Sequence, residues 1–193
     1  MPERILLLDD EPGVLNALQR LLRHGLRGDA EPRYAIECFG DADAALARAR
    51  ECSFALAISD YRMPGKNGVE FLRALRELQP DCVRIILSGY ADLSALVAAI
   101  NEAGIARFIS KPWADFDLLS TVRQLLQLRA LALENQRLAD LVRLQSGQLS
   151  AQEAELRRLE RLEPGITHVQ WGDDGSFILE DPGDPEAPES AGR

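Results

Sequence analysis

The chain has 193 residues, of which 46% are hydrophobic, and a formal net charge of -9. This length allows one ordinary domain and a smaller second unit. The acidic balance and the lack of a basic cluster argue against direct nucleic-acid binding. No apolar run approaches the ~18 residues of a membrane span. The amino-terminal stretch MPERILLLDDEP has too short an apolar run for a secretory signal, so none is expected.

Five short apolar runs predict the strands of one sheet: RILLLD, YAIECF, FALAIS, VRIILSG and ARFIS. They are mostly apolar on both faces, as expected for strands that helices cover on both sides. Helical patterns separate the runs, one after Pro12, one around Leu46, one from Phe71 to Leu78 and one from Leu93 to Ile100. This alternation predicts an α/β fold over residues 1–125, a doubly wound parallel sheet of five strands.

Residues 115–162 have a different composition, with no proline, one glycine and 14 leucines. We expect one long helix, about 70 Å in length, continuous with the helix that follows the fifth strand. Apolar residues recur in steps of three and four and predict a coiled coil in which Asn135 favours a parallel dimer. A solvated helix folded back on its own domain is the alternative. The predicted dimer seam comprises Leu131, Asn135, Leu138, Val142, Leu149, Leu156 and Leu159.

The carboxy-terminal residues divide into two short segments. Residues 163–180 alternate apolar and polar side chains around a Gly-Asp-Asp-Gly turn, which predicts a β-hairpin. Residues 181–193 are acidic and proline-rich, and we expect them to be disordered. An isolated hairpin is marginally stable in water. We therefore expect the hairpin either to bind a protein partner or to complete a dimer.

Three cysteines, Cys38, Cys52 and Cys82, have no metal-binding spacing. An odd number of cysteines without such spacing predicts reduced thiols in or near the core of a cytoplasmic protein.

Polar side chains end four of the five predicted strands. The first strand delivers Asp9 and Asp10, the third Asp60, the fourth Ser88, and the fifth Lys111. Ligands of open parallel sheets bind beyond these carboxyl ends. Three carboxylates beside one ammonium leave negative charge that a divalent cation can offset, and oxygen ligands suit Mg²⁺. The set indicates phosphoryl transfer, with Asp60 as the nucleophile.

Four motifs occur in order, LLLDDEP, SDYRMPGKNGVEFL, IILSGYAD and FISKPW. Together they resemble the receiver domain of bacterial two-component response regulators, over residues 3–125. The resemblance implies a flavodoxin-like, CheY-like fold. Within the family the motifs are most similar to receivers found on cyclic-di-GMP phosphodiesterases and on hydrogenase-gene regulators.

The resemblance also implies a role for each matching residue. Asp60 would be phosphorylated with the help of Lys111 and Ser88, and Ser88 and Phe108 would switch conformation. Asp9, Asp10, Asp60 and the backbone carbonyl of Arg62 would hold Mg²⁺. Further implied features are a cis Lys111–Pro112 peptide, a tight loop at Gly65 and Gly68, and bulky Arg62 and Tyr90 that would slow loss of the phosphoryl group.

These observations predict a two-component response regulator that catalyses only its own phosphorylation and dephosphorylation. A sensor histidine kinase or phosphotransfer protein would supply the phosphoryl group to Asp60. A homodimer formed by the coiled coil, with the hairpin, would then signal to a protein target. The alternative is a phosphotransfer intermediate or phosphate sink in which the coil only dimerises the chain.

Overall fold

The computed structural model describes residues 2–27, 34–64, 67–89, 103–145 and 151–162. Within them, helices separate the first four strands, the fifth strand comes next among the described elements, and two helices follow it. The predicted helix at Leu93 to Ile100, the hairpin at 163–180 and the tail at 181–193 lie outside the described residues. The elements are β1 (Glu3–Leu8), α1 (Pro12–Gly25), β2 (Tyr34–Phe39), α2 (Ala42–Glu51), β3 (Leu56–Asp60), α3 (Gly68–Leu78), β4 (Val83–Ser88), β5 (Arg107–Ser110), α4 (Asp115–Gln145) and α5 (Ala151–Leu162).

The five strands form one parallel sheet in the order β2-β1-β3-β4-β5, which confirms the predicted fold class. The central strands β1 and β3 are apolar on both faces because helices cover both faces. Side chains that alternate along β1 enter two separate cores. Leu6 and Leu8 pack with α2 and α3, and Ile5 and Leu7 pack with α1 and the start of α4.

The first turns of α4 belong to the sheet domain. Leu118, Val122 and Leu126 are buried in the same core as Leu18 and Leu22 of α1. Burial of each such side chain contributes about 1.5–3 kcal/mol. This packing fixes the direction of α4, whose 31 residues extend about 46 Å at ~1.5 Å per residue. The remainder of α4 therefore projects beyond the core.

Arg129 ties α4 to the edge of the sheet where β1 begins. Its guanidinium donates from Nε to the carbonyl oxygen of Asp81 at 2.9 Å, and from Nη1 to the carboxylate of Glu3 at 2.7 Å. The Arg129 side chain is largely buried whereas the Glu3 side chain is nearly half exposed, so solvent screens the contact with Asp81 less than the contact with Glu3.

The chain reverses direction between α4 and α5. Arg157 of α5 lies 3.3 Å from the carboxylate of Asp140 on α4, whereas 17 residues of continuous helix would separate them by about 25 Å. The single helix predicted over residues 115–162 is therefore two helices in the structure. The sequence between them contains Gly147 and two serines, which weaken a helix.

The cysteine prediction needs one correction. Cys52 and Cys82 are buried free thiols, but Cys38 is exposed. Cys38 lies on β2, the edge strand of the sheet, and none of the described strands pairs with its outer side. None of the described helices is both long enough and apolar enough to cross a membrane.

Gln79, which follows α3, joins three segments inside the protein. Its amide nitrogen donates to the carbonyl oxygens of Ala49 and Cys52 at 2.6 and 2.8 Å. Its amide oxygen accepts the backbone N–H of Phe54 at 2.7 Å. The buried amide therefore supplies hydrogen-bond partners to backbone groups at the end of α2 and in the residues that lead into β3.

We predict that Gln79→Leu lowers the free energy of unfolding by roughly 3 kcal/mol, because a buried polar group left without a partner costs about 1–3 kcal/mol. Urea denaturation measures the change. Asn16→Leu, at an exposed position on α1, is the matched control and should shift the midpoint little. Equal effects of the two substitutions would refute the role given to Gln79.

Candidate functional site

The site is built around one ammonium group shared by two buried carboxylates. Lys111 Nζ lies 2.7 Å from Oδ2 of Asp9 and 2.5 Å from Oδ1 of Asp60. Asp9 follows β1, Asp60 ends β3, and Lys111 follows β5. Because the strands are parallel, their carboxyl ends bring these three residues to one edge of the sheet.

Backbone amides hold the second oxygen of each carboxylate. The N–H of Glu11 donates to Oδ1 of Asp9 at 2.9 Å, and the N–H of Arg62 donates to Oδ2 of Asp60 at 2.8 Å. In the part of the chain that is described, no buried side-chain nitrogen or oxygen lacks a partner. Both carboxylates are thus fixed in orientation, and their burial is compensated by charged and polar contacts.

The charge of Lys111 is set by opposing effects. Burial lowers the pKa of its ammonium, but the hydrogen bonds and charges of Asp60 and Asp9 outweigh burial, so the pKa lies above its ordinary value. Lys111 is therefore positively charged at neutral pH. Two carboxylates beside one ammonium leave these three strand ends with a net negative charge.

The fourth strand supports the position of Lys111. Ser88, buried at the end of β4, accepts the backbone N–H of Lys111 through its carbonyl oxygen at 2.8 Å. Its hydroxyl donates to the carbonyl oxygen of Gly89 at 3.0 Å. The Lys111–Pro112 peptide bond is cis. Ser88 is thus adjacent to the Lys111 backbone.

Other predicted site residues have different surroundings. Phe108 is half-buried on β5, pairs in register with Ile86, and packs against the core shared with α2 and α3. The side chains of Asp10 and Arg62 are exposed. Among the described residues, no three acidic, histidine or cysteine side chains form a preformed metal-binding group. Gly65 and Tyr90 lie outside the described residues.

The donor set nevertheless fits a divalent cation. The two lysine contacts place one oxygen of Asp9 and one of Asp60 within about 5 Å of each other. Mg²⁺ binds carboxylate and carbonyl oxygens at ~2.1 Å and usually retains several waters. Two negative groups at such a separation, with exposed Asp10 next in sequence to Asp9, provide the ligand type and charge that Mg²⁺ requires.

The loop after Asp60 is held tightly against the β3 terminus. A Cβ at Gly68 would overlap the backbone carbonyl oxygen of Asp60. The N–H of Gly68 donates to the carbonyl oxygen of Tyr61 at 3.0 Å, and the N–H of Tyr61 donates to that of Leu87 at 2.8 Å. Only glycine allows α3 to begin this close to the Asp60 backbone.

Sequence reasoning missed two residues that support the same loop. The hydroxyl of Ser59 donates to the carbonyl oxygen of Asp60 at 2.9 Å. Asn67 caps α3 by accepting the N–H of Glu70, whose carboxylate accepts the N–H of Asn67 in return. The spacing of Asn67 and Glu70 matches a capping box and could have indicated the start of α3. No sequence signal identified the contact of Ser59.

Comparison with known proteins decides the family. A family model of the response regulator receiver domain matches residues 5–123. The chain belongs to the response regulator receiver family. The receiver prediction is thereby confirmed.

Two similar proteins are hydrogenase transcriptional regulatory proteins. The chain is 40% identical over 133 residues to the hydrogenase transcriptional regulatory protein HoxA of Bradyrhizobium diazoefficiens, covering 68% of this chain and 26% of HoxA. HoxA of Cupriavidus necator is 38% identical over 127 residues, covering 66% of this chain and 25% of that protein. The predicted similarity to hydrogenase-gene regulators is thus confirmed. The chain spans about a quarter of the length of these two relatives.

A solved structure gives the same result. The signal receiver domain of an HD domain-containing protein from Pseudomonas fluorescens is 34% identical, with a TM-score of 0.59. The match covers 67% of this chain and 98% of that one. Similarity therefore covers the sheet domain.

We predict that Gly68→Ala reduces uptake of label from radiolabelled acetyl phosphate several-fold in the presence of Mg²⁺. The added methyl group must displace either Asp60 or the start of α3, because the clash is with backbone. Gly13→Ala is the matched control, since a Cβ at Gly13 has nothing within 4 Å. Normal labelling of the Gly68→Ala variant would show that the close contact is not required.

Proposed function

We propose that the protein accepts a phosphoryl group on Asp60 from a histidine kinase or a phosphotransfer protein, with Mg²⁺ as cofactor, and signals as a cytoplasmic homodimer to a protein target. The observation that supports the acceptor role is the buried Asp60 carboxylate, which contacts the Lys111 ammonium. A carboxylate placed at a strand end beside a fixed cation has the position and charge balance that phosphoryl transfer needs.

In the proposed reaction, a carboxylate oxygen of Asp60 forms a bond to phosphorus while the phosphorus–nitrogen bond of the donor phosphohistidine breaks. Lys111 offsets the negative charge on the transferred group, and its contact with Asp9 holds it in place. Mg²⁺, when bound, would neutralise further phosphoryl charge, with Asp9, Asp10, Asp60 and the Arg62 carbonyl as its ligands. Arg62 and Tyr90 are proposed to slow hydrolysis of the product.

Phosphorylation would add about two negative charges to this edge of the sheet. The Ser88 hydroxyl could then donate to a phosphoryl oxygen instead of to the Gly89 carbonyl, and Phe108 would follow by repacking. Such a change is a population shift between two arrangements. Only three residues separate Lys111 from Asp115, where α4 begins, and this short connection supports α4 as the element that responds.

The proposed dimer uses one face of α4. Leu131, Leu138 and Val142 are 56%, 50% and 63% exposed, although all three are apolar. With Asn135 they continue the seam predicted for a parallel coiled coil. Leu156 and Leu159 lie on the reversed helix α5 and Leu149 lies outside the described residues, so the seam is proposed on α4 only.

The fold-back of α5 does not obstruct this seam. At about 100° per residue, Leu133 and Asp140 lie roughly 200° and 180° around α4 from Leu131. Asp140 contacts Arg157 of α5, which therefore packs on the side of α4 opposite the seam. A second copy could approach the seam while α5 stays in place.

We predict that Asp60→Asn abolishes labelling by acetyl phosphate, because the amide is not a competent nucleophile for this transfer. Asp117→Asn, at an exposed position in the first turn of α4, is the control and should label at the parental rate. Retained labelling of Asp60→Asn would refute Asp60 as the acceptor.

Rapid return of the phosphoryl group from the parent protein to a phosphotransfer histidine would instead favour the alternative function, a phosphotransfer intermediate or phosphate sink.

We also predict that Leu131→Asp raises the dissociation constant of the dimer at least ~100-fold, about 3 kcal/mol, because two unpaired charges would enter an apolar seam. Sedimentation analysis measures the constant. Ala130→Asp adds the same charge at an exposed position away from the seam. This control substitution should leave the dissociation constant of the dimer nearly unchanged. Equal effects of the two substitutions on the dissociation constant would contradict the proposed seam. A parent protein that is monomeric in solution would contradict it as well.

A further inference from the structure

A cavity of about 880 Å³ lies at the edge of the sheet where the strands begin, the edge opposite Asp60. Its walls come from three parts of the chain: the sheet domain, α4 and α5. We name it the basal groove. Its apolar lining includes Pro2, Phe54, Leu78 and Pro80 from the sheet domain, Leu133 from α4 and Leu162 from α5.

Hydrogen bonds and ion pairs of two arginines connect the walls of the basal groove. Arg129 attaches α4 to Glu3 and to the Asp81 carbonyl, and Arg157 attaches α5 to Asp140. The groove is thus a product of the fold-back of α5. Its volume lies in the range of clefts that bury a sizeable ligand, ~300–1,000 Å³, so several apolar side chains can enter it.

The chain leaves α5 at the groove itself. Leu162, the last residue of α5, is one of the lining residues, and its side chain is 53% exposed. Another 31 residues follow it in the sequence. Val169 is the seventh residue after Leu162, which gives a reach of up to about 24 Å at ~3.5 Å per residue. The next part of the chain can therefore enter the groove without any change in α5.

The sequence that follows has the apolar content to fill such a groove. In ITHVQWGDDGSFIL, Val169 and Trp171 are two residues apart, as are Phe177 and Leu179. In extended chain, residues two apart share a face. A two-stranded hairpin is marginal by itself, while burial of each of these side chains is worth about 1.5–3 kcal/mol. The segment needs a surface to pack against, and the groove is within reach.

We propose that the apolar side chains of residues 166–179 pack into the basal groove of the same chain. The docked segment lies at the opposite end of the strands from Asp60 and leaves the acceptor site open. It also withdraws Val169, Trp171, Phe177 and Leu179 from any other partner. Capture of a protein target by this segment therefore requires its release from the groove.

The test uses the fluorescence of Trp171. The chain has two tryptophans, so Trp113→Phe leaves Trp171 as the sole probe. In this background, with residues 1–193 retained, we expect the emission to lie at shorter wavelength than in urea, and acrylamide quenching to be several-fold weaker. Both signals report an indole removed from water.

Two substitutions two residues apart on α4 separate the groove from the dimer seam. Leu133→Asp places a charge in the groove and should return emission and quenching to the values in urea, while Leu131→Asp on the opposite face should change neither. Leu162→Asp repeats the groove test outside α4. Far-UV circular dichroism and acetyl-phosphate labelling verify that each variant is folded.

Three results would overturn the proposal. In the first, Trp171 is as accessible to acrylamide in the parent as in urea. In the second, Leu131→Asp exposes Trp171 and Leu133→Asp does not, which places the segment in the dimer. In the third, protection disappears on dilution below the dimer dissociation constant, which assigns the groove to the segment of a second copy. Labelling of Asp60 is measured separately and does not depend on any of these outcomes.

Discussion

The contact of the Lys111 ammonium with Asp9 and Asp60 depends on the whole sheet, because the three residues follow three different strands. Parallel pairing and the strand order β2-β1-β3-β4-β5 place those strand ends at one edge. The positive charge of Lys111 also offsets the free-energy cost of burying two carboxylates in a low-dielectric surrounding. In the proposed function, the same charges that need compensation form the acceptor site.

Helix α4 connects this domain with everything that follows it. Its first turns are part of the core through Leu118, Val122 and Leu126, so its direction is set by the sheet domain. Beyond the core, Arg129 holds one face against the domain, and the opposite face carries exposed leucines. In the proposed dimer, one rigid helix would offer one surface to its own chain and another to a second copy, and movement at its base would reach both.

The fold class and the strand-end residues of the site followed from local patterns. Five apolar runs of appropriate length predicted β1 to β5, because buried strands must be apolar on both faces. Asp60 and Lys111 were identified because parallel strands end at a common edge. Other features were not accessible in this way. The exposure of Cys38 depends on β2 being an edge strand, and the hydrogen bonds of Gln79 and Arg129 join residues distant in sequence.

By itself the sequence determined the order of the five strands along the chain, the acidic and basic groups at the strand ends, and a leucine-rich segment able to form helix. These properties depend on residue type and short-range spacing. The tertiary structure decided which oxygen of each carboxylate contacts Lys111, why Gly68 cannot carry a side chain, and where the leucine-rich segment reverses. The reason is that these features depend on distances between atoms far apart along the chain, and packing of the whole domain sets those distances.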